Sequence, residues 1–156
     1  MSNKVKPIPE GYHTLTPYMI HNHAADAIEF YKKAFGAVER FRMPKPDGKI
    51  AHAEIQIGNS MIMMADEYPE MNARGPQTIG GSPVSLCLYV EDVDSFFNKA
   101  VAAGATVIRP VQNQFYGDRS GMLADPFGYQ WNVSTHVEDL TAEEIAKRAA
   151  STKSCC

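Results

Sequence analysis

Cysteine is scarce in this chain: three in 156 residues, with Cys87 in a strand-like run and Cys155 and Cys156 at the end. Thiols so placed form neither a disulfide framework nor a Cys-x-x-Cys metal knuckle, and they fit a reducing, cytoplasmic setting. The Cys155-Cys156 pair reads as a frayed tail. Long hydrophobic runs are missing too. No stretch reaches the roughly 18 apolar residues of a membrane span, and the opening MSNKVKPIPEGYH lacks the apolar core of a secretory signal, so no membrane partner is expected. Nor does one charge dominate. Fifteen Lys and Arg against 18 Asp and Glu leave a net charge of -3, which gives no electrostatic basis for binding a nucleic-acid backbone. What remains, 44% hydrophobic and 21% charged, is globular composition, enough for one domain or two small modules sharing a core.

Periodicity then shows an internal repeat. TLTPYMIH (Thr14 to His21) is strand-like, and NHAADAIEFYKKAFGA has helical spacing at Ala24, Ala27, Ile28, Tyr31 and Phe35 before Gly36. VERFRMP, IAHAEIQI and SMIMMADE follow as three strands, joined by turns at Pro46 to Gly48 and at Gly58-Asn59. The second half repeats this order with VSLCLYVE, a helix VDSFFNKAVAAGA that Asp92 N-caps and Gly104 ends, then TVIRPVQNQ, RSGMLA and YQWNVSTH. Gly36 and Gly104, and Gly58 and Gly128, recur at a nearly constant offset, the mark of duplication. The predicted organisation is an N-terminal arm (1–13), a first βαβββ module (14–67), a Pro/Gly-rich linker (68–83), a second module (84–137) and a C-terminal helix and tail (138–156). Thr141 to Glu144 is a capping-box pattern that opens that last helix.

Side chains alternate across a strand, so each strand carries two sets. Leu15, Pro17 and Met19 oppose Thr16 and Tyr18; Leu86, Leu88 and Val90 oppose Ser85, Cys87 and Tyr89; Trp131 and Val133 oppose Gln130, Asn132 and Ser134. In IAHAEIQI, His52, Glu54 and Gln56 share one side. One set suits packing on helices. The other, polar and partly aromatic, is expected to line a shallow groove for a small molecule, with Phe115, Tyr116 and Arg119 near its edge. Trp131 falls on the helix side. Met61, Met63 and Met64 read as gap-filling core or as a pliable apolar lining.

Two βαβββ modules with Asp-Pro-Phe-Gly-Tyr before the final strand resemble the vicinal oxygen chelate superfamily of glyoxalases, extradiol dioxygenases and fosfomycin- and bleomycin-resistance proteins. PYMI…AADAIEFYKKAFGA, HAEIQIGNSMIMMADE, DRSGMLADPFGYQWNVSTH and the trailing VEDLTAEEIAKRA resemble its PhnB-like branch. The resemblance implies an α+β fold, with tandem βαβββ modules forming a cupped, mostly antiparallel eight-stranded sheet, and a homodimer. Metal-using members carry His, Gln or Glu on the first and last strands of each module, positions that fall here on Thr16, Met63, Ser85 and Asn132. Two hydroxyls, a thioether and a carboxamide make a poor cage for a divalent cation, whereas Asn132 offers both a donor and an acceptor to a neutral ligand.

Three functions, beside a mainly structural or interaction role, remain open on these grounds. The first is metal-free binding of a small molecule, with no cofactor, in which Tyr18, Tyr89 and Trp131 or Phe115 stack while Asn132, Gln130 and Arg119 anchor. The second is a lyase, isomerase or dioxygenase-like enzyme that holds a divalent metal through displaced ligands, with His52, Glu54, His21 and His23 as the residues to watch. The third is metal-free acid-base catalysis by Glu54, assisted by His52, with Arg119 holding an anionic substrate.

Overall fold

The computed structural model describes residues 5–152, so the Cys155-Cys156 pair lies outside the described residues. Two compact units divide the chain at Met1–Gly81 and Ser82–Cys156. In the first, β1 (Tyr18–His21) leads to α1 (Ala24–Phe35), then β2 (Val38–Pro44), β3 (Ile50–Ile57) and β4 (Ser60–Asp66), followed by a 3-10 turn at Pro69–Met71 and the short α2 (Pro76–Ile79). In the second, β5 (Ser85–Tyr89), α3 (Val93–Ala103), β6 (Thr106–Asn113), β7 (Asp118–Ala124) and β8 (Gln130–His136) repeat the order, and α4 (Ala142–Ser151) follows. Each unit builds a four-stranded mixed sheet, ordered β1-β4-β3-β2 and β5-β8-β7-β6. Only β1 with β4 and β5 with β8 pair in parallel, so the sheets are mostly antiparallel. The expected α+β class, tandem order and C-terminal helix are all present, with the eight strands shared equally between two sheets.

The helices form where their apolar stripes meet a sheet. In α1, Ala24, Ala27, Ile28, Tyr31, Ala34 and Phe35 are buried, and Gly36 ends the helix in the left-handed region at φ 65°. Its start is capped from outside: Asp66, at the end of β4, accepts the Ala24 N–H at 2.8 Å and the Ile50 N–H at 2.6 Å. Thr135 holds the matching place in the second unit, accepting the Val93 N–H at 2.9 Å while its hydroxyl donates to the Val90 carbonyl at 2.8 Å. Asp92 adds the expected N-cap on Ser95, and Thr141 with Glu144 completes the capping box of α4. Against α3 lie Leu123, Trp131 and Val133, all fully buried. Burying each stabilises the fold by about 1.5–3 kcal/mol. Gly121 lets the helix approach, because a Cβ there would stand 2.6 Å from the Phe97 ring.

Two segments depart from expectation. The first strand begins at Tyr18, not Thr14, since Pro17 has no N–H to give and contributes only its carbonyl, which accepts the Met63 N–H at 2.9 Å. The linker is not structureless. Prolines at the first positions of its 3-10 turn and of α2 pre-set helical φ, and the segment is tied to the first unit by Gly75 N–H to Glu67 at 2.7 Å and Asn22 to Thr78 at 3.2 Å.

Candidate functional site

The second sheet turns α3 to one face and leaves a polar face on the other. Strand register arranges that face in rows. Cys87, Asn132, Met122 and Arg109 cross the four strands in one row, and Tyr89, Ser134, Ser120 and Gln112 in the next. At the centre, the Asn132 carbonyl oxygen accepts from Arg109 Nη2 at 3.3 Å, while its amide donates to Ser134 Oγ at 3.4 Å and Cys87 Sγ at 3.7 Å. Arg109 Nη2 also reaches Ser120 Oγ at 3.4 Å, and the Tyr116 hydroxyl lies 3.4 Å from the same oxygen. Phe115 packs edge-on against Tyr116, with ring centroids 5.2 Å apart.

Beside this cluster, the buried Asp118 accepts from Tyr89 at 2.7 Å and bonds His136 Nδ1 at 2.8 Å, and His136 Nε2 bonds Asp139 at 2.9 Å. The two carboxylates, Asp118 first, raise the His136 imidazole above its ordinary range. Asp118 likewise raises the Tyr89 phenol. Both shifts follow from a negative charge that favours the protonated partner.

In the first unit the equivalent row is Tyr18, Met63, Glu54 and Phe41. The Tyr18 hydroxyl lies 3.0 Å from His52 Nδ1, and His52 Nε2 lies 3.2 Å from Glu54. His52 and Glu54 therefore do meet, as expected for one strand face, and Tyr18 extends the chain of contacts. Tyr12 closes it: its buried hydroxyl lies against Glu54 and acts on the carboxylate as a weak hydrogen-bond donor. Burial, then the carboxylate, push the Tyr12 phenol up to about 12. Glu54 in turn is held below the usual carboxylate range, chiefly by Tyr12 and next by His52.

Of the remaining candidates, Ser85 and Gln130 face each other, exposed, at the entry of β5 and β8. Thr16 precedes β1 and lies outside the ladder. Arg119 is not brought to the polar face: it sits opposite Thr135 on the helix side and clamps Asp94 through two bonds of 2.7 Å. Trp131 is in the core, its indole N–H donating to Asp125 at 2.8 Å. The methionine cluster splits, Met64 facing α1 in the core while Met63 is half-buried on the other face. His21 is fully buried against the Tyr31 hydroxyl at 3.1 Å, where desolvation lowers its pKa to about 4. His23 sits at the N-cap of α1 without a side-chain capping bond.

Sequence reasoning missed Arg109, Ser120, Asp118 and His136. For His136 the signal was present, two residues past Ser134 on the same alternation. Arg109 was hidden by a β-bulge: Val107 stands opposite Leu123 but Arg109 opposite Met122, so strict alternation assigns Arg109 to the wrong face. The first unit has the same irregularity between Glu39 and Phe41.

Among the described residues, no three His, Cys, Asp or Glu side chains converge as a metal-binding group. The donors at the four candidate positions are a hydroxyl, a thioether, a second hydroxyl and a carboxamide. At Asn132 the nearest charge is a guanidinium. A divalent ion on that oxygen would lie within roughly 5 Å of it and meet a repulsion of roughly 3 kcal/mol per unit charge at an effective dielectric of 20. These residues do not fit a divalent cation.

Comparison with known proteins agrees with the fold. The chain is 42% identical over 140 residues to the uncharacterized protein Mb0911c of Mycobacterium bovis, covering 88% of this chain and 92% of that one. Protein PA1353 of Pseudomonas aeruginosa superposes with a TM-score of 0.66 at 25% identity, over 81% of this chain and 99% of that one. A PhnB protein from Bacillus cereus shares the fold with a TM-score of 0.62 at 19% identity, over 79% and 99% of the two chains. The family profile matches residues 13–133, and with the duplicated βαβββ units it shows that the chain belongs to the Glyoxalase/Bleomycin resistance protein/Dioxygenase superfamily.

Proposed function

We propose that this chain binds a small molecule on the polar face of its second module and does so without a divalent metal. The observation that carries this reading is the setting of Asn132, whose amide is held among Arg109, Ser134 and Cys87 where metal-using relatives place a carboxylate. Neutral donors and one cation make a surface that orients a ligand by hydrogen bonds, with Tyr89, Phe115 and Tyr116 as aromatic walls. Fold membership alone does not choose a reaction. Acid-base catalysis by Glu54 is disfavoured on physical grounds, because a general base works best with a pKa raised toward the working pH and this carboxyl is lowered.

A thermal-shift screen of small aromatic and polar compounds, followed by amide chemical-shift mapping, tests the reading. Binders are expected to raise the melting temperature and to move amide signals of β5, β7 and β8. Binders that move only the first module, or no binders in a broad library, would contradict it.

A further inference from the structure

Among the described residues, the cation at the centre of this face has no anion of its own. Arg42 holds Glu39 and Glu29, Arg119 holds Asp94, and Arg148 holds Glu138, each through charge-assisted bonds, while Arg40, which bonds the neutral Gln56, and Arg74 are exposed to water. Arg109 is half-buried, and its bonds go to the neutral oxygens of Ser120 and Asn132 at 3.4 and 3.3 Å. Its Nε is buried and has no hydrogen-bond partner among the described residues. A guanidinium presents five N–H donors in a planar fork, and leaving a buried donor unmade is unfavourable by about 1–3 kcal/mol. A half-buried guanidinium held only by neutral oxygens suits an oxyanion from outside.

The surroundings suit one. Ser120 and Ser134 are buried with their hydroxyls turned toward the cluster, and the Tyr116 hydroxyl lies beside Ser120. The carboxylate that would repel an anion, Asp118, is engaged by Tyr89 and His136. Resting on the binding reading above, we propose that the ligand is a small organic anion whose carboxylate, phosphate or phosphonate group is gripped by Arg109 beside Asn132, with its organic part against Tyr116 and Phe115. Asn132 fits that role because its carbonyl orients the guanidinium without neutralising it, which an aspartate or glutamate would do.

The test is amide chemical-shift titration of the full chain with benzoate, phenylphosphonate and the neutral isostere benzamide, in the parent and in Arg109→Gln and Asn132→Asp. The expected result is saturable movement of amides around Arg109, Ser120 and Asn132, with one of the anions binding at least about tenfold tighter than benzamide. Benzoate against phenylphosphonate then tells a planar from a tetrahedral oxyanion. Both substitutions should abolish the preference, Arg109→Gln by removing the fork and Asn132→Asp by pairing it. Asn132→Asp is isosteric, so the outcome survives a folding failure of the other variant. Benzamide binding as tightly as the anions on these strands would overturn the anion assignment and leave the binding reading standing. No saturable change on β6, β7 or β8 with any of the three would overturn both.

Discussion

His136 lies between Asp118 and Asp139, whereas His21 sits in the first core against Tyr31, and the two imidazoles shift in opposite directions. Imidazole carbon-proton signals followed by NMR should show His136 titrating above its ordinary value and His21 near 4. Asp118→Asn should bring His136 back down, since Asp118 is the leading cause of its shift. The effects on stability have opposite signs. For His21, the unfolded chain takes up a proton near 6.5 that the fold refuses until about 4, so stability is full above 6.5 and falls by about 3 kcal/mol as the pH drops to 4. For His136, the folded state holds the proton more tightly, so its contribution is full below the unfolded value and is lost as the pH rises through the raised folded one. A His21 signal titrating near 6.5 would contradict the burial described here.

Among the elements, duplication has kept the position of the helix cap and changed its chemistry. Asp66 satisfies two backbone N–H groups, one on α1 and one on β3, while Thr135 satisfies one, on α3, and donates its own proton to the Val90 carbonyl. Asp66→Ala should therefore destabilise by about 3 kcal/mol and Thr135→Val by about 1–2 kcal/mol, as read from urea denaturation. Equal effects would show that the charge on Asp66 adds nothing to its two bonds. The elements themselves were legible in the sequence because helix stripes, capping residues and turn glycines are local signals. The start of β1 was misread because Pro17 sits in a run that alternates correctly yet cannot donate to a ladder. The linker was read as irregular because its prolines, which break helices elsewhere, here begin two short ones.

For the whole molecule, the duplication explains why the site was only half legible. Asn132 and Ser134 could be read from the Gly128-Tyr129 turn, and Tyr18, His52 and Glu54 from alternation, since those strands run in regular register. Arg109 lies beyond a bulge that shifts facing by one residue, so no periodic reading finds it. Arg119 looked like an anchor because the sequence does not reveal that Asp94 on α3 lies opposite. Both arginines show that a charged residue declares its role through its partner, which is a tertiary fact. The homodimer that the resemblance implies remains a proposal, and light scattering that returns twice the mass of one chain would support it.

The most direct test of metal independence is elemental analysis of protein purified without chelator, paired with melting curves in Zn, Ni, Mn, Fe and Co. The account predicts metal well below one equivalent and shifts of no more than about 1 °C. One equivalent of retained metal, with a rise of several degrees that Asn132→Ala removes, would contradict it, because a cation bound selectively by the folded state raises stability by mass action.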